Sequence, residues 1–178
     1  MRIISGRLKG RRLVAPKKLP VRPTTDMAKE SLFNILNNHF YFDGISVLDL
    51  FAGTGSISFE FSSRGTQNIT AVDGNYHCIR FIQKTNEELD CNVQPIKSDV
   101  YQYLEATKQQ YDVIFADPPY DFEVEKFHEI ANLVFEKELL EEDGLLVIEH
   151  SKHTNLEEHP QFSYSKKYGG CMFSFFEL

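Results

Sequence analysis

Short apolar runs alternate with stretches of helical spacing along most of this 178-residue chain. The runs at 45–50, 69–72, 92–96, 111–116 and 145–149 have the length of strands, and several are apolar at almost every position. Between them, apolar residues recur at the spacing of amphipathic helices. Strands that alternate with helices pack as a parallel sheet covered on both faces, so the pattern predicts a doubly wound α/β fold.

The last part of the chain breaks this alternation. Residues 162–167 and 171–177 flank Tyr168-Gly169-Gly170, and two such runs around a glycine turn predict a β-hairpin. With the five earlier strands, the hairpin completes a mostly parallel, seven-stranded sheet. Leu139 and Leu140 are predicted to extend the apolar face of the preceding helix, and Asp143-Gly144 to form the turn into the fifth strand.

The first 24 residues differ from the rest in their pattern. They alternate imperfectly around Gly6 and Gly10, which predicts a small basic β-hairpin or strand pair ahead of one domain over 25–178. Thr25 or Asp26 is predicted to cap the first helix of that domain. This helix is expected to run to about Phe40, with Lys29 facing outward.

Charge is also distributed unevenly. The net charge is −7, yet residues 1–23 contain no acid, and the rest of the chain carries −15. A segregated basic block is typical of proteins that bind nucleic-acid phosphates, and a solvated arm explains it equally well. The block consists of Arg2, Arg7, Lys9, Arg11, Arg12, Lys17, Lys18 and Arg22.

Other classes of protein receive little support. No apolar run is long enough to cross a membrane, and none follows the N-terminal charges as in a secretory signal, so a cytoplasmic protein is expected. The three cysteines lack paired spacing and the six histidines show no ligand pattern, so neither a disulfide nor a metal site is expected.

The first strand leads into a glycine turn, Phe51-Ala52-Gly53-Thr54-Gly55, and then into a helix from Ser56. This strand–turn–helix unit is typical of nucleotide-binding sheets, because glycines let the backbone approach a ligand and the helix start supplies free N–H groups. Ser58 stands where a dinucleotide fingerprint has its third glycine. Asp49, just before the turn, would repel a pyrophosphate and attract an amino group.

Acids also follow the next two strands. Asp73, at the end of the second strand, can accept both hydroxyls of a ribose. Asp99, followed by Val100 after the third strand, can lie beside an adenine amine. Each aspartate also suits the cap of the helix that follows it, so capping remains an alternative reading, especially for Asp99.

The fourth strand stops at Asp117-Pro118-Pro119-Tyr120, because two prolines cannot continue a sheet ladder. The Asp117 carboxylate and the Pro118 carbonyl are two acceptors that can hold both hydrogens of a planar NH2 group, and Tyr120 can stack on its ring. Holding both hydrogens would direct the nitrogen lone pair toward an electrophile. An ordinary turn with a capping aspartate is the alternative.

Four strand-end motifs in this order resemble the S-adenosylmethionine-dependent methyltransferases of class I. The likeness is closer to the bacterial 16S ribosomal RNA (guanine(966)-N(2))-methyltransferase family. The motifs that carry it are Arg2-Ile3-Ile4-Ser5-Gly6, Gly10-Arg11-Arg12-Leu13, Arg22-Pro23-Thr24-Thr25-Asp26, Glu30-Ser31-Leu32-Phe33-Asn34, Asp49-Leu50-Phe51-Ala52-Gly53-Thr54-Gly55 and Asp117-Pro118-Pro119-Tyr120. Tyr120 departs from the phenylalanine of many relatives, and a tyrosine preserves stacking.

The resemblance implies methyl transfer from S-adenosylmethionine, leaving S-adenosylhomocysteine, to a guanine amine of 16S rRNA in the small ribosomal subunit or an assembly intermediate, by a monomer. It implies catalytic roles for Asp117, Pro118, Pro119 and Tyr120. The cofactor-binding residues would be Asp49, Phe51, Gly53, Thr54, Gly55, Asp73, Asp99 and Val100. RNA would bind Arg2, Arg7, Lys9, Arg11, Arg12, Arg22 and Thr24.

Three rival functions share these features in part. A DNA adenine-amine methyltransferase uses a related tetrapeptide, but usually carries a target-recognition domain for which 178 residues leave no room. A protein glutamine methyltransferase also holds a planar amide, but usually has asparagine where this chain has Asp117. A non-catalytic RNA-binding or ribosome-assembly protein would have no need of the intact motif acids.

Overall fold

A computed structural model describes residues 1–22 and 24–178. Pro23, which belongs to one of the motifs quoted above, lies outside the described residues. The helices of the described part are α1 (Asp26–Asn37), α2 (Ser56–Ser63), α3 (Tyr76–Glu88), α4 (Val100–Ala106) and α5 (Val124–Glu136), with a 3-10 turn at Phe42–Gly44. Its strands are β1 (Ser46–Leu50), β2 (Asn68–Asp73), β3 (Val93–Lys97), β4 (Tyr111–Ala116), β5 (Leu140–Ser151), β6 (Phe162–Tyr168) and β7 (Cys171–Phe176).

These strands form one sheet in the order β3-β2-β1-β4-β5-β7-β6. The first five are parallel, and β7 lies antiparallel between β5 and β6. The chain runs outward from β1 to β3 and then crosses back to β4, so the carboxyl ends of β1 and β4 flank the point where the strand order reverses. The predicted doubly wound, seven-stranded α/β fold is therefore confirmed.

Alternating strand residues divide the core into two layers. Val47, Val113 and Val147 face the layer that contains α1, α2 and the first residues of the chain. On the other face, Leu48 and Ile114 pack with the apolar sides of α4 and α5. Continuous burial of β1, β2 and β4 explains why these strands read as nearly unbroken apolar runs.

Three boundaries differ from the prediction, the first being the end of α1 at Asn37 rather than at about Phe40. Helix α5 ends at Glu136, so Leu139 and Leu140 do not extend it; Leu140 begins β5 instead. The Asp143-Gly144 pair lies inside this strand as an irregularity, with Tyr111 opposite Leu140 and Val113 opposite Leu145. Asp143 has a φ of 62°, a left-handed conformation that lets the strand absorb the extra residues without ending.

The predicted N-terminal hairpin is reduced to a single antiparallel bridge between Arg2 and Arg12. We refer to residues 1–22 and Thr24 as the basic arm. Its apolar side chains Ile3, Leu8 and Leu13 are buried in the same core layer as α1 and α2. Burial rather than a regular strand ladder therefore holds the arm in place, and its treatment as a separate unit stays a prediction.

A buried ion-pair network fixes the arm to α1 and α2. The Glu60 carboxylate accepts hydrogen bonds from the Ile4 and Ser5 amides at 2.9 and 3.1 Å. It also pairs with Lys29 Nζ at 3.4 Å and Arg64 Nε at 2.9 Å. The expectation that Lys29 faces outward is wrong: only 1% of it is exposed, because Glu60 compensates its charge inside the protein.

Ser63, at the end of α2, completes the attachment of the arm. Its carbonyl accepts from Arg7 N at 2.7 Å, and its hydroxyl accepts from Leu8 N at 2.9 Å. Gly6 approaches so closely that a Cβ there would lie 1.9 Å from the Ser63 carbonyl oxygen, and its φ is +86°. Only glycine fits this contact.

Candidate active site

The carboxyl ends of β1, β2, β4 and β5 meet at a cavity of about 410 Å³. This size is within the range of small-molecule sites. Pro20, Val21, Arg22 and Thr24 form one wall. Of the residues assigned from sequence, the cavity brings together Arg22, Thr24, Asp49, Phe51, Gly53, Thr54, Asp73, Asp117, Pro118, Pro119 and Tyr120.

The glycine turn after β1 follows an unusual backbone path. Phe51, Gly53 and Gly55 have φ values of 58°, 57° and 77°. A Cβ on Gly55 would lie 2.9 Å from the Phe59 ring, so glycine is needed both for conformation and for space. A non-glycine residue such as Phe51 in this region is strained, and such strain is found mainly at functional sites.

Asp73 holds the turn from the neighbouring strand. Its Oδ2 accepts a hydrogen bond from Gly53 N, and its Oδ1 accepts one from Asn75 N, both at 2.8 Å. Helix α3 is capped instead by Asn75, which accepts from the His77 and Cys78 amides. Asp73 is therefore not the cap of α3, and its carboxylate lines the cavity with acceptor capacity to spare.

Asp49 lies deeper in the cavity wall. Its Oδ2 accepts from the Ser58 hydroxyl at 2.6 Å and from Ser58 N at 3.2 Å. Burial raises the pKa of this carboxyl to about 7, since desolvation penalises its charged form more than the two hydrogen bonds favour it. The serine in the place of a third fingerprint glycine thus serves to hold the acid of β1.

The Asp117-Pro118-Pro119-Tyr120 turn lines the cavity. Asp117 N donates to the Leu50 carbonyl at 3.3 Å, which ties the end of β4 to β1. Pro119 O accepts from Phe122 N at 3.1 Å, while the described residues place no hydrogen bond on the Pro118 carbonyl. Asp117 and Pro118 therefore offer two acceptors side by side at the cavity wall.

Sequence reasoning missed Glu149, on β5. Only 4% of this residue is exposed. Its Oε1 accepts from Tyr120 Oη at 3.0 Å, and its Oε2 accepts from Thr24 Oγ1 at 2.9 Å. The sequence contains a signal for Glu149, because this acid comes directly after the apolar run of β5. Asp117 likewise comes directly after the apolar run of β4, and Asp49 lies near the end of the run of β1.

Arg22 covers the same corner of the cavity. Its guanidinium carbon lies 4.2 Å from the centre of the Tyr120 ring, in cation–π geometry. Of the described residues that line the cavity, Arg22 is the cation, whereas Asp49, Asp73, Asp117 and Glu149 are acids. The cavity therefore attracts positive charge and N–H donors rather than phosphate.

The acids also perturb one another. Burial raises the pKa of Asp117 well above its usual range, and the nearby charges of Glu149 and Asp49 raise it further, while Arg22 opposes the shift. Burial likewise raises the pKa of Glu149, although hydrogen bonds from Thr24 and Tyr120 oppose the shift. Clustered carboxyls with raised pKa values are typical of functional sites rather than of structural ion pairs.

The other residues assigned to cofactor do not line this cavity. Asp99 is exposed and caps α4, accepting from Gln102 N at 3.0 Å. Val100 is buried in the first turn of α4, and Gly55 begins α2 behind the turn. Contact of these three residues with cofactor stays a prediction.

The basic side chains of the arm fall into two groups. Arg7 Nη2 donates to the carbonyls of Leu89 and Asp90 at 3.2 and 3.1 Å, and Arg2 pairs with Asp26 at 3.2 Å. Lys9, Arg11 and Arg12 are exposed. Arg11 and Arg12 line a groove of about 930 Å³ between the arm and α3, opposite His77, Arg80 and Lys84.

The described residues show neither a cluster of metal ligands nor a membrane-spanning helix. Within residues 1–22 and 24–178, no three His, Cys, Asp or Glu side chains are grouped as metal ligands. Each helix of the same residues falls short of the length and apolar character needed to cross a membrane.

Comparison with known proteins gives a consistent result. The family model described as conserved hypothetical protein 95 matches residues 1–177. YlbH of Bacillus subtilis, named provisionally as an rRNA methyltransferase, is 39% identical over 163 residues, which cover 89% of this chain and 86% of YlbH. The ribosomal RNA small subunit methyltransferase D of Buchnera aphidicola is 33% identical over 157 residues, covering 86% of this chain and 80% of the relative.

A solved structure has the same architecture. The protein yhhF of Escherichia coli, described provisionally as a methyltransferase, superposes with a TM-score of 0.85 at 29% identity and covers 99% of this chain and 96% of its own. Family and fold thus agree over nearly the whole length. The chain belongs to the conserved hypothetical protein 95 family, in agreement with the resemblance to small-subunit rRNA methyltransferases that its motifs carry.

Proposed function

We propose that this protein is an S-adenosylmethionine-dependent methyltransferase that modifies the exocyclic amine N2 of a guanine in 16S rRNA of the small ribosomal subunit. The observation that carries the proposal is the pair of acceptors, the Asp117 carboxylate and the Pro118 carbonyl, on the wall of an acidic cavity beside the glycine turn. The names of the relatives, which act on ribosomal RNA, support the same substrate class.

The cavity suits S-adenosylmethionine in charge and volume. When bound, this cofactor supplies a methyl group on a sulfonium and leaves as S-adenosylhomocysteine. Asp49 and Asp73 would favour its positive groups, and the spare acceptor capacity of Asp73 suits ribose hydroxyls. Gly53 would let the backbone of the turn approach the cofactor closely. A Cβ there would crowd Val21 at 3.2 Å.

The acceptor side of the site is formed by the end of β4. Asp117 and Pro118 would accept both hydrogens of the guanine amine, which turns the nitrogen lone pair away from the ring and toward the methyl group. The raised pKa of Asp117 also makes it a competent acceptor for the proton that N2 must lose. Tyr120, which lines the cavity, would stack on the base.

The target base must leave its stack to reach these acceptors, which costs roughly a few kcal/mol. Phosphate contacts outside the cavity offset such a cost, and the groove between the arm and α3 offers them through Arg11, Arg12 and Arg80. Because the whole chain is acidic, with a net charge of −7, RNA binding depends on this one basic side. A monomer that acts in the cytoplasm, where ribosomes assemble, agrees with this arrangement.

The proposal is tested by locating the transferred methyl group. Small subunits from cells that lack this enzyme are incubated with the protein and S-adenosylmethionine labelled on its methyl carbon, and the 16S nucleosides are separated by mass spectrometry. We expect label in N2-methylguanosine at one position. Label in N6-methyladenosine, or transfer only to protein, would overturn the proposal.

Matched variants and substrates make the result specific. Asp117→Ala should give far less labelled nucleoside in the same time, whereas Lys137→Gln, on an exposed side chain paired with Glu105 far from the cavity, should match the wild type. A parallel incubation with protein-free 16S rRNA shows whether the assembled particle is required.

A further inference from the structure

Binding of the guanine amine by Asp117 and Pro118 does not explain why Glu149 is buried in the cavity wall. It is 4% exposed, lines the cavity and lies beside Asp117 in the sheet, because Ala116 of β4 is paired with Ile148 of the parallel strand β5. The next residues of the two strands, Asp117 and Glu149, therefore occupy adjacent positions on the same side of the sheet. Burying a carboxylate beside another is costly, so its presence calls for a ligand that uses it.

The hydrogen bonds of Glu149 leave it both fixed and incompletely used. Tyr120 donates to one oxygen and Thr24 to the other, so the side chain is held in a single orientation. Each carboxylate oxygen can accept two hydrogen bonds; Tyr120 and Thr24 donate one each, and the Cys171 thiol is a further neighbouring donor. At least one acceptor position is therefore available to a group that enters the cavity.

We propose that Glu149 determines base specificity by accepting the N1–H of the target guanine while Asp117 and Pro118 hold its N2 amine. This inference rests on the proposed function and names a recognition residue for the same site. Guanine presents N1–H and N2–H as neighbouring donors on one edge, so two neighbouring acceptors match it. Adenine presents an unprotonated N1 beside its amine. This N1 and the Glu149 carboxylate would both be acceptors and would face each other without a proton between them.

Thr24 and Tyr120 hold the Glu149 carboxylate in position. They are positioning residues for Glu149, since each donates to it and neither needs to contact N1. Thr24 belongs to the arm, so seating of the arm and recognition of the base are connected through one hydrogen bond of 2.9 Å. The inference thus links the RNA-binding side of the protein to its choice of base.

The test compares two bases at the target position. Small subunits are reconstituted with 16S rRNA that carries either guanine or 2-aminopurine there; 2-aminopurine keeps the amine but has an unprotonated N1. The ratio of kcat/KM for guanine to that for 2-aminopurine is measured with saturating S-adenosylmethionine. For the wild type we expect a ratio of about 10 to 100, the usual range for one recognition contact.

Variants separate recognition from structure. Glu149→Gln is isosteric but places an N–H donor among the acceptors, and Glu149→Ala removes them; in both, the ratio should fall by at least about fivefold. Tyr120→Phe, which removes only the hydroxyl that donates to Glu149 and leaves the carboxylate in place, should lower the ratio less than either change at Glu149 does. The loss of O6 in 2-aminopurine affects every variant alike, so the change in ratio reports Glu149.

The outcomes are distinct. A Glu149→Gln protein that folds and turns over both bases more slowly at an unchanged ratio would overturn the recognition role and leave the proposed function standing. If the wild type transfers no methyl group to the guanine-bearing particle, the proposed function fails, and the inference fails with it. Cofactor titration of each variant confirms that the cavity is intact.

Discussion

Two buried glutamates of this protein have opposite surroundings. Glu60, which is fully buried, pairs with Lys29 and Arg64 and also accepts two backbone amides of the arm. Glu149, which is 4% exposed, receives two hydroxyl hydrogen bonds and lies beside the carboxyl of Asp117. The same residue type is thus fully compensated at one place and left undercompensated at the other.

The difference distinguishes a buried carboxylate that stabilises the fold from buried carboxylates that are available to a ligand. Two cations and two amides satisfy Glu60, so it fastens the arm to the helices and has nothing left to offer a ligand. At the cavity, Asp49, Asp117 and Glu149 keep raised pKa values and unused acceptor positions, a state that an entering donor or cation relieves.

Removing the compensated glutamate should have the largest effect. Glu60→Ala leaves Lys29 buried without its partner and the Ile4 and Ser5 amides unsatisfied, so we expect a loss of about 3 to 5 kcal/mol in the free energy of unfolding. Urea titration measures it. Glu129→Ala, at an exposed pair with Lys126, should cost no more than about 1 kcal/mol. Equal losses in the two variants would contradict a structural role for Glu60.

Removing an acid of the cavity should instead affect turnover. Asp117→Ala takes away one of the two proposed amine acceptors, and we expect kcat to fall about 100- to 1,000-fold, the effect of losing one transition-state contact. Calorimetric titration should show that S-adenosylmethionine still binds and that stability is retained. Lost cofactor affinity with normal turnover at saturation would contradict the assignment.

The pH dependence of stability gives a finer contrast. Folding raises the pKa of Asp49 to about 7, so this group binds its proton more tightly in the folded state, and the stability it contributes is lost as pH rises from about 4 through about 7. Asp49→Asn avoids this loss. Relative to the wild type, it should gain about 2 kcal/mol in unfolding free energy between pH 5 and pH 8.

Urea titration at the two pH values checks this prediction. A constant difference between the Asp49→Asn and wild-type proteins would show that Asp49 ionises freely, contrary to its burial. Glu60→Gln serves as the contrast, since the loss of two ion pairs should destabilise the protein at both pH values.

The smallest effect concerns the outer face of the arm that Glu60 anchors. Replacing Arg11 or Arg12 by glutamine removes an exposed cation from the groove without touching the core, so RNA affinity should fall. The slope of log affinity against log salt should flatten by about 0.7 to 0.9 per lost phosphate contact. Lys137→Gln, on the other face of the sheet, should leave the slope unchanged.

Much of the fold followed from local pattern. Parallel strands buried on both faces read as continuous apolar runs, and the glycine turn after β1 and the glycine turn before Cys171 mark their own positions. The burial of Lys29 could not be predicted, because its partner Glu60 lies 31 residues away and helical spacing alone places a lysine outside. The alternating pattern of the first residues predicts a hairpin, but they pair with each other at a single bridge. Their amides bond to Glu60 and Ser63 of α2 instead, and a local pattern does not contain such distant partners.

The candidate site was predictable wherever an acid ends a strand beside glycine or proline. Asp73 and Asp117 therefore line the cavity, as their positions at strand ends predict. Asp99 caps α4 instead, which the sequence offered as its alternative. Glu149 escaped because no glycine or proline marks it and its strand continues to Ser151. Its role depends on contacts with Thr24, 125 residues away in sequence, and with Tyr120, 29 residues away, which no local pattern contains.

The central claim is that the end of β4 presents acceptors to the N2 amine of a guanine. Its most direct test is a reconstituted small subunit in which the target guanine is replaced by hypoxanthine, which keeps N1–H and O6 but lacks the amine. The account predicts full methylation of the guanine-bearing particle and none of the hypoxanthine-bearing particle. Methylation of hypoxanthine at that position at a comparable rate would contradict it.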